Sequence, residues 1–266
     1  MTIPSSGLDH DLLNRGRLRV DHTDPVVTIT LDRPDIRNAQ LPATWEALAH
    51  IGSRLPESTR VVIVKGDGPA FSAGLDRSAF SLDASSVMGR IAILPPAAAD
   101  AQIEVYQEGF TWLGDPSFVS IAAVQGHAIG AGFQLALACD LIIAADDAAF
   151  AMAEVTLGLV PDLTGTGRLI DRVGTARALE LCATGRRVGA AEAERIGLAL
   201  LAVPVDDLTQ TVDDLTAALL ANQSDAVRAV TRLISGAHAR TAGEQLAAER
   251  AEQVQRIHAL AAAMRG

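Results

Sequence analysis

Two short segments rich in small residues could supply main-chain hydrogen-bond donors to a negatively charged oxygen. The first is AFSAGLD at residues 70–76, and the second is QGHAIGAG at residues 125–132. Each follows an apolar run, and the second opens a helical pattern. The first N–H groups of a helix lack acceptors within the helix and are electropositive, so they can stabilise an oxyanion without a charged side chain. Taken alone, each segment is equally typical of an ordinary turn between a strand and a helix.

Glu154 is an acidic residue within a mostly apolar segment. Apolar residues flank it on both sides, and burial among them would raise its pKa toward the range that suits general acid–base catalysis. A surface carboxylate is the alternative. His127 lies within the second segment, and we expect it to be a packed or partly exposed histidine. No Ser–His–Asp spacing indicates a hydrolase triad. No His/Cys/carboxylate cluster indicates a metal site.

Four apolar runs predict the strands that would position these segments. They cover residues 26–31, 61–64, 119–124 and 140–144. Helical periodicity separates them, and from about residue 206 only helical patterns remain. This order predicts an α/β core over residues 1–205 and a helical region over residues 206–266. The weakly periodic residues 81–100 are predicted to form a mobile loop.

Bulk composition excludes several classes of protein. The net charge is −10 without a cluster of basic residues, which argues against a nucleic-acid or anionic-membrane surface. Residues 121–145 are mostly apolar, but Asp140 alone would cost about 2.5–3.5 kcal/mol at the centre of a membrane span. Cys139 and Cys182 are expected to be buried thiols, not a disulfide. No apolar core of signal-peptide length begins the chain, so a cytoplasmic location is expected.

The sequence resembles the crotonase, or enoyl-CoA hydratase/isomerase, superfamily over roughly residues 20–205. The matching text lies at residues 31–39, 61–76, 121–132, 138–140, 154–161 and 184–203. The resemblance implies a spiral of ββα units with C-terminal helices that build a homotrimer or a dimer of trimers. It also implies that the oxyanion donors are the N–H groups of Leu75 and Ala131. Ala131 replaces a common glycine, which is tolerable if its φ is negative.

The same resemblance implies an acyl-CoA thioester as substrate. Because coenzyme A is then part of the substrate, no separate cofactor is expected. The adenine and pantetheine would lie beside Ala73 and Leu75. Arg33, Arg37 and Arg77 are the candidates for phosphate contacts, although each could instead be a solvated surface charge.

The residues around Glu154 bear on the reaction. Hydratases of the family use two glutamates, and their positions here hold Gln134 and Glu154. Glutamine can orient water but cannot accept a proton at neutral pH. Asp162 stands where several isomerases of the family have aspartate, although it could equally be a turn or helix N-cap residue. We therefore predict an enoyl-CoA isomerase that moves a double bond through a thioester enolate, with Glu154 and Asp162 transferring protons.

Two alternatives remain open. One is an enoyl-CoA hydratase of fatty-acid β-oxidation, and the other is a catalytically weak CoA-binding subunit, which the glutamine at position 134 makes plausible. Acyl chain length is set by residues 81–100 and the C-terminal helices, where the resemblance is weakest.

Overall fold

A computed structural model describes residues 7–81, 83 and 86–265. Its larger sheet comprises β1 (Leu18–Thr23), β2 (Val26–Leu31), β3 (Val61–Gly66), β4 (Val119–Val124), β6 (Leu141–Ala145) and β9 (Leu201–Val203), and its smaller sheet comprises β5 (His127–Ile129), β7 (Ala149–Ala151) and β8 (Val188–Gly189). The larger sheet has the order β1-β2-β3-β4-β6-β9, all parallel except β1, which pairs antiparallel with β2. The smaller sheet has the order β5-β7-β8.

Helices cover both faces of the larger sheet. The α-helices of the described residues are α1 (His10–Gly16), α2 (Pro42–Gly52), α3 (Val87–Ile93), α4 (Pro96–Thr111), α5 (Ala131–Ala138), α6 (Gly165–Thr184), α7 (Ala190–Arg195), α8 (Leu208–Leu220), α9 (Ser224–Ser235) and α10 (Ala242–Ala263). The backbone of α6 is broken at Gly174, whose φ is 75°. Within the described residues, no helix is long and apolar enough to cross a membrane.

The predicted strands are confirmed at their positions in the larger sheet. Residues 61–64 of β3 are buried throughout, because α2 and α4 cover one face of the sheet and α8 covers the other. Beyond residue 206 the described chain is helical, as predicted. The domain boundary between residues 205 and 206 stays a prediction. Helix α8, just beyond this boundary, packs its Leu208 and Val212 directly on the sheet.

The predicted loop over residues 81–100 is wrong for most of its length. Helix α3 and the start of α4 lie within it, while residues 82, 84 and 85 fall outside the described part of the chain. Pro95 and Pro96 lie in this segment, and proline usually interrupts a helix. Pro96 occupies the first turn of α4, where the N–H that proline lacks has no intrahelical acceptor anyway.

Helices α2 and α4 approach closely at Gly109. A Cβ atom added there would lie 2.6 Å from the carbonyl oxygen of Trp45. The contact brings the rings of Trp45 and Tyr106 to a centroid distance of 5.0 Å in an edge-to-face arrangement. Both aromatic side chains are thereby held at one end of the cavity described below.

Gly109→Ala should destabilise the fold by about 1–3 kcal/mol, because the added methyl group must push α4 away from the α2 backbone. Gly167→Ala is the matched control: it adds a methyl group to α6 with nothing within 4 Å, and should stabilise by up to about 1 kcal/mol. Urea unfolding of the two variants measures both effects. Equal stabilities would contradict the close packing of α2 and α4.

Candidate active site

The segment at residues 72–76 is clamped between two neighbours. Ser72 N–H donates to His127 O at 2.7 Å, and Ile129 N–H donates to Ser72 O at 3.0 Å. On the other side, Gln40 N–H donates to Gly74 O at 2.7 Å and Asp76 N–H donates to Gln40 O at 2.8 Å. The carbonyl and N–H of a trans peptide point in opposite directions. Because the Gly74 carbonyl points toward Gln40, the Leu75 N–H points away from Gln40.

The second donor lies at the N-terminus of α5. Gly130 has φ 52° and ψ −121°, a conformation that strongly favours glycine. Its carbonyl accepts from Gln134 N–H at 2.9 Å, along the helix. The Ala131 N–H therefore points back out of the helix N-terminus. Ala131 has a negative φ, so the condition for replacing the usual glycine is met.

The two donor segments are in direct backbone contact. A Cβ atom added to Gly132 would lie 2.5 Å from Ser72 O. One added to Gly74 would lie 3.5 Å from Ala131 N and would overlap the carbonyl oxygen of Ile129. Within the described chain, no backbone or side-chain acceptor is hydrogen-bonded to the N–H of Leu75 or Ala131. Both residues line one cavity of about 600 Å³.

Most of the predicted site residues meet at this cavity. It is lined by seven of them: Ala73, Leu75, Arg77, Ala131, Gln134, Glu154 and Asp162. Arg33 and Arg37 are not among its lining residues. The structure thus brings the predicted oxyanion donors and acid–base residues together, and leaves two of the three predicted phosphate ligands outside the cavity.

Gln134 is held by three hydrogen bonds. Its Oε1 accepts from the N–H of Leu163 at 2.8 Å and from the N–H of Gly165 at 3.2 Å. Its Nε2 donates to Glu154 Oε1 at 2.8 Å. The side chain is buried, and these bonds define which end is the amide nitrogen. Gln134 therefore orients Glu154 and fixes the loop that carries Asp162.

Glu154 keeps one oxygen free for chemistry. Its Oε2 is buried and has no hydrogen-bond partner among the described residues. Burial raises the pKa of Glu154 above its ordinary value of 4.5, and the nearby Asp162 carboxylate raises it further, while hydrogen bonds oppose the shift. A carboxyl group with a raised pKa and an unpaired oxygen can both accept and return a proton near neutral pH.

Asp162 lies nearer the surface, yet burial raises its pKa too. Its backbone carbonyl accepts from Gln107 Nε2 at 2.6 Å. Thr164, not Asp162, precedes the first turn of α6, and no side chain caps that helix. The N-cap alternative for Asp162 is therefore excluded.

The arginines divide into different roles. Arg33 donates to Asp76 Oδ2 at 2.6 Å and to Ala39 O at 3.3 Å. Together with the Ser78 N–H, whose effect is larger, Arg33 holds the pKa of Asp76 below its usual value. Arg33 thus braces the residue after Leu75. Arg37 is exposed, while Arg77 is exposed at the edge of the cavity.

His127 is half-buried, as predicted. Burial lowers its pKa, and the positive charges of Arg187 and Arg37 lower it further. Of the cysteines, Cys139 is buried and Cys182 is half-buried, and both are free thiols. Burial raises the pKa of each.

The individual residues at the far end of the cavity were not predicted, although residues 81–100 were expected to set the acyl chain length. The walls of this end come from α2, α3 and α4, through Trp45, Val87, Met88, Ile91 and Tyr106. Three of these residues lie in the segment predicted to be a loop. Tyr106 belongs to an apolar helical stripe that the sequence shows, but such a stripe does not distinguish a cavity wall from ordinary core.

Comparison with known proteins agrees with this geometry. The family model described as enoyl-CoA hydratase/isomerase matches residues 21–264. A probable enoyl-CoA hydratase of Mycobacterium bovis is 34% identical over 200 residues, 71% of this chain and 69% of that protein. A Bacillus subtilis protein named as an enoyl-CoA hydratase/isomerase is 36% identical over 206 residues, 75% of this chain and 74% of its own length.

A solved structure is also closely similar. A Thermobifida fusca protein bearing the name of an enoyl-CoA hydratase, crystallised with acetoacetyl-CoA, has a TM-score of 0.90 and 43% identity, with 95% of this chain and 99% of that chain covered. The fold is therefore the crotonase fold. The chain belongs to the enoyl-CoA hydratase/isomerase family.

Glu154→Gln should raise the melting temperature at pH 8. A carboxyl group whose pKa is raised on folding costs no stability below its ordinary pKa of 4.5. The penalty grows as the pH rises from 4.5 to the raised pKa, and it is complete above that value. The gain should therefore shrink as the pH falls toward 4.5. Calorimetry across this pH range measures it.

Glu244→Gln is the matched control of opposite sign. Hydrogen bonds from the Thr241 backbone and hydroxyl lower the pKa of Glu244, so its charge stabilises the fold at pH 8. This variant should melt lower at pH 8 and approach the parent in acid. The same sign for both substitutions would contradict the unpaired environment of Glu154.

Proposed function

We propose that this protein transforms an enoyl-CoA thioester through an enolate held by the N–H groups of Leu75 and Ala131. The supporting observation is that two adjoining main-chain donors without protein acceptors share a cavity with the unpaired Glu154 Oε2. Preorganised donors stabilise charge that develops on an oxygen during reaction. Glu154 is the proposed general acid–base.

Coenzyme A is proposed to enter as part of the substrate. The Thermobifida fusca neighbour was crystallised with acetoacetyl-CoA and, in a second structure of 44% identity and TM-score 0.89, with CoA. By the family resemblance, Ala73 and Leu75 would contact the adenine and pantetheine. Arg37 and Arg77 are the better phosphate ligands, because Arg33 already bonds Asp76.

Hydration is the first candidate reaction. The compared relatives carry the name enoyl-CoA hydratase, which favours it over the isomerisation predicted from sequence. A water molecule hydrogen-bonded to Glu154 Oε2 would add its oxygen to C3 while Glu154 takes its proton. The enolate then takes that proton at C2, so the thioester gains one water and Glu154 returns to its starting form.

Isomerisation is the second candidate, and the hydrogen bonding of Gln134 favours it. Its Oε1 accepts from Leu163 and Gly165 and its Nε2 donates to Glu154, and an amide cannot accept a proton from water, so a second water-activating carboxylate is missing. Glu154 could instead remove a proton at C2 of a 3-enoyl-CoA. Glu154 would return that proton at C4 and regain its starting form. If Asp162 starts protonated and supplies the C4 proton instead, the proton on Glu154 must pass to Asp162 before the next turnover. In either case the double bond would move without adding water.

Self-assembly is proposed from the exposed faces of α9 and α10. In the part of the chain that the structure describes, no residue of α10 is buried. Large apolar side chains are exposed on both helices, namely Val230, Ile234, Leu246, Val254, Ile257 and Leu260. A homotrimer or a dimer of trimers would cover them. Sedimentation equilibrium measures the assembly.

Two substrates separate the candidate reactions. Crotonyl-CoA should lose its conjugated-enoyl absorbance if the protein adds water. A 3-enoyl-CoA should gain that absorbance if the protein moves the double bond. Binding of CoA esters with neither change would favour the catalytically weak CoA-binding subunit and reject both reactions.

Glu154→Gln should lower kcat by roughly 10²–10⁴-fold while leaving KM nearly unchanged, because the variant keeps the acceptor for Gln134 but cannot transfer a proton. In the parent enzyme, kcat should fall as the pH is lowered, and the midpoint of this fall should lie above pH 4.5, the ordinary pKa of glutamate. Steady-state kinetics from pH 4.5 to 8 measures both. Loss of activity in Asp162→Asn but not in Glu154→Gln would move the principal base to Asp162.

A further inference from the structure

A buried chain of hydrogen bonds joins the far end of the cavity to the oxyanion donor at Leu75. It begins at Trp45, whose indole ring lines the cavity. Trp45 Nε1 donates to Gln40 Oε1 at 2.7 Å, and Gln40 Nε2 donates to Ser72 Oγ at 3.1 Å. Ser72 Oγ accepts from Gly74 N–H at 3.2 Å and donates to Asn38 O at 2.8 Å.

Gln40 occupies the centre of this chain. Its side chain links Trp45 to Ser72, and its backbone bonds both the carbonyl before Leu75 and the N–H after it. Trp45, Gln40 and Ser72 are at most 3% exposed. A buried polar network in which each member is paired holds one geometry, because an alternative arrangement leaves a buried donor or acceptor unsatisfied.

We infer that Trp45, Gln40 and Ser72 couple occupancy of the acyl cavity to the alignment of the Leu75 N–H. An acyl tail that packs on Trp45 restrains the indole, and Gln40 and Ser72 pass the restraint to the backbone on either side of Leu75. Ser72 Oγ holds the Gly74 N–H, and the Gln40 backbone holds the Gly74 carbonyl and the Asp76 N–H. Gln40 and Ser72 are positioning residues, since neither lines the cavity. The inference rests on the proposed function for the identity of the oxygen that Leu75 binds.

The chain has two tryptophans, which provide a matched comparison. Trp45→Phe keeps an aromatic ring and removes the donor to Gln40. Trp112→Phe removes a donor to Gly109 O in a residue that does not line this cavity. Ser72→Ala and Ser120→Ala form a second pair, because Ser120 Oγ is also buried and bonded, to Leu113 O and Asp140.

The measurement is the fraction of bound acetoacetyl-CoA present as its enolate, read from the enolate absorbance at saturating ligand. This signal reports the strength of the oxyanion hole without requiring turnover. Trp45→Phe and Ser72→Ala should each lower the enolate-to-keto ratio about tenfold, with Kd changed less than threefold. The double variant should lose no more than the larger single effect, as expected for one shared path. Trp112→Phe and Ser120→Ala should leave the ratio unchanged.

Additive losses in the double variant, or equal losses in the control variants, would overturn the coupling. Melting temperatures measured alongside separate a general loss of stability from a loss of alignment. If the parent protein transforms no enoyl-CoA but stabilises the enolate, and Trp45→Phe and Ser72→Ala lower the enolate ratio without additivity, the proposed reaction fails while the coupling stands. If the parent turns over enoyl-CoA and Trp45→Phe has the parent's enolate ratio, the coupling fails while the reaction stands.

Discussion

The structure depends on the contact between two pieces of backbone, at residues 72–75 and 129–132. Gly132 lies against the carbonyl of Ser72, and Gly74 lies against the carbonyl of Ile129, so neither position has space for a side chain. This contact leaves the N–H groups of Leu75 and Ala131 side by side without a protein acceptor. Leaving two donors unpaired carries a cost in free energy. In the proposed function, a substrate oxygen that accepts from both would offset that cost.

The surroundings of this contact favour rigidity. Sheet strands enter both segments, Gln40 bonds the backbone on either side of Leu75, and Arg33 bonds Asp76. Donors held in this way need little reorganisation when charge develops on the bound oxygen, which is the physical source of their effect on rate. The acid–base side is equally constrained, because Gln134 ties Glu154 to the start of α6.

Gln134 sets the hydrogen bonding around Glu154. Its amide satisfies two backbone donors and one carboxylate oxygen at once, a combination that an ionised glutamate could not provide, because it has no donor for Glu154. The remaining oxygen of Glu154 is left as the one unpaired carboxylate oxygen among the buried side-chain atoms that the structure describes. In the proposed reactions, Glu154 is therefore the first candidate for proton transfer.

Local sequence was sufficient to predict the strands of the larger sheet, the start of α5, the helical C-terminal region and the residues that meet at the cavity. The spacing of apolar residues and the positions of glycines are local properties of the sequence. The resemblance to the family adds which residues of distant segments belong to one site. The far wall of the cavity could not be predicted, because Val87, Met88 and Ile91 resemble ordinary apolar residues until α3 and α4 place them around Trp45. Tertiary structure also decided that Arg33 bonds Asp76 inside the fold and that the Gln134 amide makes three hydrogen bonds. Both outcomes depend on partners from other segments, and hydrogen-bond geometry between such segments exists only once the chain has folded.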